Sequence, residues 1–165
     1  MPHKHSHSAE QARLHINLRL ERWHRRCIYV AMAALFATGV AWLLGHFFLR
    51  TAGQFGESVS PLEPLSMKLH GASVMVVLFL LGSLMNSHIR RAFKSGRNLA
   101  SGWAMIGTLL FLTATGFGLY YLAGEADRPT WSALHWVAGL GMGLLFIAHI
   151  AIGRRSNPHR GAGRG

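Results

Sequence analysis

Five histidines lie in stretches of the chain that carry few other polar groups: His46, His70, His88, His135 and His149. His24 stands just ahead of the first such stretch, among arginines. An ionisable side chain in an apolar run is costly and by default marks a functional site. Imidazole can bind a metal, relay a proton or act as a charge switch. The spacing narrows these options. His70 and His88 are eighteen residues apart. In a uniform α-helix that is five whole turns, so both project from one face about 27 Å apart. His135 and His149 are fourteen apart, which leaves them within roughly 40° of each other and about 21 Å apart along the axis. His70 precedes Arg90 by twenty residues and His135 precedes Arg154 by nineteen, so these two are nearly level. His88 precedes Arg90 by two and His149 precedes Arg154 by five. That second pair is offset by about 4.5 Å, an amount that tilt and rotamer choice can absorb.

Two histidines at one level on co-directional helices can grip a metal from opposite sides. Haem iron takes two axial imidazoles in this way, with the porphyrin in the apolar space between helices. Small residues beside the ligands let a flat ring approach, and Gly71, Ala72, Ser73, Gly82, Ser83, Gly139 and Gly143 are so placed. Zinc fits less well, because it needs three or four ligands at one point and no Asp, Glu or cysteine pair lies at these depths. Gly139 and Gly143 also form a Gly-x-x-x-Gly spacing that serves helix packing with no cofactor. Four histidines in two matched pairs are harder to explain by packing. The expectation is two bis-histidine haem b groups, on His70 with His135 and on His88 with His149.

The elements that position these residues follow from composition. Only 14% of the 165 residues are charged, against about 25% in soluble domains. Apolar runs cover roughly 27–49, 65–88, 102–123 and 130–152, each about the 20 residues needed to cross a bilayer. The fold expected is all-α, an integral membrane four-helix bundle. Residues 1–26 form a basic N-terminal segment, 27–153 the haem-binding transmembrane domain and 154–165 a disordered basic tail. Of seventeen Lys and Arg, fourteen fall in the N-terminal segment, the 90–97 loop and the tail, which places both termini in the cytoplasm. The net charge of +11 then reflects that bias and anionic lipid, and no nucleic acid is expected. The lone Cys27 makes an intrachain disulfide impossible. His3, His5 and His7 can bind a divalent metal, but a solvated leader explains them more simply.

Local signatures add a resemblance: Trp42-Leu43-Leu44-Gly45-His46, Pro61-Leu62-Glu63-Pro64 leading to Leu69-His70-Gly71, His88-Ile89-Arg90-Arg91, and Leu134-His135-Trp136 with His149 fourteen residues on. Over about residues 35–155 the chain resembles bacterial four-helix dihaem cytochrome b membrane subunits, which serve formate dehydrogenases, hydrogenases and related systems. The resemblance implies that His70, His135, His88 and His149 are haem ligands, and that the site is the bacterial inner membrane. It departs at the His70–His88 gap, which is longer than fourteen. Some of these families use a first-helix histidine for the inner haem, so His24 competes with His88. His46 is level with the outer pair and is an alternative ligand or a propionate partner. The implied function is transmembrane electron transfer between a redox partner protein, a dehydrogenase or c-type cytochrome, and quinone or another carrier. Such a chain is an electron-transfer subunit rather than a stand-alone catalyst. The competing reading is a cofactor-free structural subunit or a small metal or proton transporter with histidine relays.

Overall fold

A computed structural model describes residues 20–54, 56–96 and 98–155, the Ser87 side chain excepted. The His3-His5-His7 tract, nearly all of the basic N-terminal segment and the tail beyond Arg155 lie outside these residues. Among the described residues the chain is all-α apart from one short ribbon. Four helices are long and apolar enough to cross a membrane: α1 (Arg22–Phe48), α2 (Leu62–Leu84), α4 (Leu99–Tyr121) and α5 (Arg128–Arg155). A π-turn (Met85–Ile89) and the short α3 (Arg90–Ser95) continue from α2. The protein is a multi-pass membrane protein.

The helices form two compact units, which divide between Met85 and Asn86. One is the α1–α2 hairpin. The described part of the other covers Asn86–Arg155 and contains the α4–α5 hairpin. The linked end of each hairpin is called here its turn end, and the other its open end.

Each helix starts a few residues before its apolar stretch, and α5 also runs past the end of its own. α1 starts at Arg22, not at Cys27, so Arg25 and Arg26 are helical. Lipid selects apolar side chains, but backbone hydrogen bonding continues until a stop signal arrives. Prolines 61 and 64 sit at the start of α2, where a missing N–H costs nothing because first-turn N–H groups lack intrahelical partners. α3 stops at Gly96, whose φ of 67° is a left-handed cap that glycine adopts without strain. α4 stops where Arg128 donates from Nη1 to the Leu119 carbonyl and from Nη2 to the Ala123 carbonyl, 3.1 and 3.2 Å. A cation there offsets the negative helix end.

The loop between α1 and α2 holds the ribbon: β1 (Thr51–Gly53) pairs antiparallel with β2 (Gly56–Ser58), Thr51 opposite Ser58. An all-helical expectation does not include it. Gly56 has φ 110°, a conformation that a side chain would oppose.

Burial is inverted relative to a water-soluble protein. The buried apolar residues among those described are Ala31, Met32, Val77, Leu109 and Met142. Val30, Phe79, Leu110 and Leu144 are exposed, and lipid is their solvent. Lipid gives no hydrophobic drive to pair helices, so close approach of small residues and interhelical hydrogen bonds must hold a hairpin together. Both are present. Gly45 is buried against Glu63, and Gly118 against the ring of Trp131.

Candidate functional site: hydroxyl-anchored histidines

In the first hairpin, Thr38 of α1 faces His70 of α2, with Oγ1 3.0 Å from Nδ1. In the second, Thr115 of α4 faces His135 of α5, with Oγ1 2.8 Å from Nδ1. Both contacts lie toward the turn end. Toward the open end of the second hairpin, Ser101 Oγ lies 2.9 Å from His149 Nδ1. Toward the open end of the first, Ser83 Oγ lies 2.9 Å from His24 Nε2. Four histidines are thus met by a hydroxyl from the opposite helix of their own hairpin.

The proton positions follow from counting hydrogens. A hydroxyl has one hydrogen and two lone pairs. Thr38 Oγ1 is 2.8 Å from the Ala34 carbonyl, Thr115 Oγ1 is 2.9 Å from the Phe111 carbonyl, and Ser101 Oγ is 3.2 Å from the Asn98 carbonyl. Carbonyl oxygens only accept, so each hydroxyl donates backwards and accepts from the ring. That arrangement favours a proton on Nδ1 of His70, His135 and His149; the His70 ring is also hydrogen-bonded to the Leu35 backbone. The Ser83 hydroxyl is 2.6 Å from the Leu80 carbonyl, so by the same logic His24 is protonated on Nε2. His24 therefore has the opposite tautomer. Its lone pair is on Nδ1, beside its own backbone, where a flat ligand is crowded.

Glycines leave room for two of the rings. A Cβ on Gly39 would come 3.3 Å from His70 Cε1, and one on Gly116 would come 3.4 Å from His135 Cε1. The Thr-Gly pairs belong to a repeat that the histidine-centred reading missed. Ala-Thr-Gly occurs at 37–39 and at 114–116, and seventy-seven residues separate both Thr38 from Thr115 and His24 from Ser101. Aligning the chain with itself would have shown it.

His88 needs a correction. It lies in the π-turn, where each residue advances by less than the α-helical ~100°. The five-turn count from His70 therefore fails, and His88 is rotated off the face that a uniform helix gives it. The axial offset from His149 does not keep the two apart. Their ring centroids are 6.4 Å from each other, with the planes at 82°. Two imidazoles sharing one metal at ~2 Å metal–nitrogen distances have centroids roughly 6 Å apart.

The chain matches no family model, no curated protein and no solved structure.

His46 is engaged differently. Its Nδ1 is 3.2 Å from Glu63 Oε2, and its ring stacks on Trp42 with centroids 4.6 Å apart. Arg50 grips the same carboxylate with both arms, Nε to Oε1 at 2.8 Å and Nη2 to Oε2 at 2.7 Å, and reaches Glu57 at 3.3 Å. The hydrogen bond to Glu63, foremost, raises the Arg50 pKa above its ordinary value, so it stays charged. A haem propionate at His46 would meet the Glu63 carboxylate and a guanidinium already paired twice. The cluster instead ties the end of α1 and the ribbon to the first turn of α2.

Among the described residues, no three His, Cys, Asp or Glu side chains come together to hold a bare metal ion. The donor set is of the two-histidine kind. That suits a metal whose remaining positions are filled by a ligand it brings with it, as porphyrin does.

Proposed function

We propose that this protein is a transmembrane electron carrier, a b-type cytochrome with two bis-histidine haems. The observation that carries the reading is the approach of His88 and His149 to a spacing suited to one shared metal. These two are the ligands at one end of the helices, and His70 and His135 supply those at the other. Iron would take Nε2 of His70, His135 and His149, since Nδ1 of each lies at hydrogen-bond distance from a hydroxyl. When bound, haem supplies a reversible one-electron couple. The chain's residues orient the imidazoles, keep water from the site and set ligand basicity. The Lys and Arg distribution puts both termini, and the His88–His149 end, on the cytoplasmic side. The membrane is the bacterial inner membrane. Electrons arrive from or leave to a separate redox protein, or a quinone in the lipid.

Support also comes from the resemblance to dihaem cytochrome b subunits. The test is the pyridine haemochrome of protein purified from cells supplied with haem. The reading expects about two haems per chain and a reducible α band. A colourless, folded preparation would overturn it and favour a cofactor-free subunit or a transporter.

A further inference from the structure

We infer that α3 and the adjoining end of α5 form a docking surface for anionic phospholipid, with Arg90, Arg91 and Lys94 on the headgroup phosphate. The inference does not depend on the haem reading.

Three contacts gather this surface at the open end of the second hairpin. The rings of His88 and His149 have centroids 6.4 Å apart. Phe93 of α3 meets Trp103 of α4 in an edge contact, with centroids 5.0 Å apart. A Cβ on Gly153 of α5 would lie 3.9 Å from Nδ2 of Asn98, the residue before α4. The end of α5, with Arg154 and Arg155, is therefore beside the segment that leaves α3. Arg90, Arg91, Lys94, Arg154 and Arg155 are all exposed. At ~100° per residue, Arg90, Lys94 and Arg91 fall within an arc of about 100° on α3, and Phe93 lies on the side toward α4.

Nothing in this hairpin neutralises that charge. Among the described residues the ion pairs all belong to the α1–α2 hairpin and its loop. Glu125 and Asp127 are at the turn end, the length of α4 away, about 35 Å, which is several screening lengths. Arg90 donates from Nη1 to Asn86 Oδ1 at 3.2 Å, a neutral partner that orients the guanidinium and leaves its charge. Helix ends account for part of the pattern. Lys94, Arg154 and Arg155 lie in last turns, where exposed carbonyls favour cations. Arg90 and Arg91 do not. α3 continues from the π-turn without a break, so no helix end stands beside them. Their counter-ion comes from outside the hairpin.

Position selects lipid as the source. Arg90 directly follows the second apolar run and Arg154 the fourth, which puts both at the headgroup border. The exposed Phe93 and Trp103 beside them add the aromatic anchors of that border. A phosphodiester accepts hydrogen bonds from guanidinium and ammonium groups together. Each basic residue near an anionic surface is worth about a factor of five in binding.

A diffuse surplus of positive charge is the alternative, and it favours no basic cluster over another. Full-length protein in detergent is offered phosphatidylglycerol or phosphatidylcholine with the same acyl chains, and retained lipid is counted by native mass spectrometry. The wild type should retain phosphatidylglycerol about tenfold better. Arg90→Gln/Arg91→Gln/Lys94→Gln should retain about tenfold less of it than Arg22→Gln/Arg25→Gln/Arg26→Gln, which removes as much charge from α1. Arg90→Lys/Arg91→Lys should keep the wild-type preference.

Hydrogen exchange of the full chain in nanodiscs of either lipid locates the site. Phosphatidylglycerol should slow exchange over residues 90–95, in the wild type and not in the α3 variant. If the α3 variant does not fold, the wild-type exchange map decides. A wild type without preference for phosphatidylglycerol, equal losses from the α3 and α1 variants, or protection confined to another segment would each overturn the inference. Binding of polyglutamate in place of the lipid would make the patch a docking surface for an acidic protein and the lipid assignment wrong.

Discussion

Gly118→Ala should destabilise the second hairpin, and the structure gives the size. An alanine methyl there would fall on the six-membered ring of Trp131, 2.7 Å from Cε3 and 2.9 Å from Cη2. Carbon contacts that short are strongly repulsive. The ring is not a loose side-chain tip, since its Nε1–H is 3.2 Å from Asp127 Oδ2. Overpacking of this kind costs about 1–3 kcal/mol. Against it stands the helix preference for alanine over glycine, about 0.8–1 kcal/mol in aqueous helices. The net expectation is a loss of about 0–2 kcal/mol. Gly102 lies in the same helix, and a Cβ there would meet nothing within 4 Å, so Gly102→Ala should be neutral or stabilising by up to about 1 kcal/mol. Gly116→Ala should fall between the two, its methyl 3.4 Å from His135 Cε1. The assay is reversible unfolding of each variant in mixed micelles under one set of conditions. Equal stability of Gly118→Ala and Gly102→Ala would refute the claim that the Trp131 contact sets this packing. Trp131 is one helical turn before His135, so Gly118→Ala should also weaken haem retention at His135 and leave the His149 end unaffected.

Three further outcomes follow from the site. His88→Ala should remove one haem while His24→Ala keeps both, because His24 turns its Nε2 to Ser83 and His88 faces His149; haem stoichiometry decides, and the reverse result would make His24 the ligand. His70→Ala and His135→Ala should each lose one haem and keep the other redox step, read by potentiometric titration; full haem content in both would remove them from the ligand set. A reporter active only in the periplasm, fused at the C-terminus, should stay silent, and strong activity there would reverse the assigned orientation.

Much of this was legible in the residues because lipid restricts the options. A backbone in hydrocarbon must satisfy its own hydrogen bonds, so an uncharged apolar run of about 20 residues can only be a helix there. The four spans and the approximate level of each histidine follow from composition and a fixed rise per residue. α4 ends at Tyr121, before the expected bound, where Arg128 and not hydropathy meets its last carbonyls.

What composition could not decide was the azimuth of a side chain and its partner across a hairpin. The phase of His88 depends on a π-turn, which no apolar period announces. The pairing of Thr38 with His70 spans thirty-two residues, and that of Ser101 with His149 spans forty-eight. Isolated threonines and serines in a helix look like ordinary residues bonded back to their own carbonyls. Only the packing of α1 on α2 and of α4 on α5 brings the remaining lone pairs against an imidazole. Depth in the membrane is a one-dimensional property carried by the chain itself, whereas the tautomer of a histidine depends on the atom that tertiary structure places beside it.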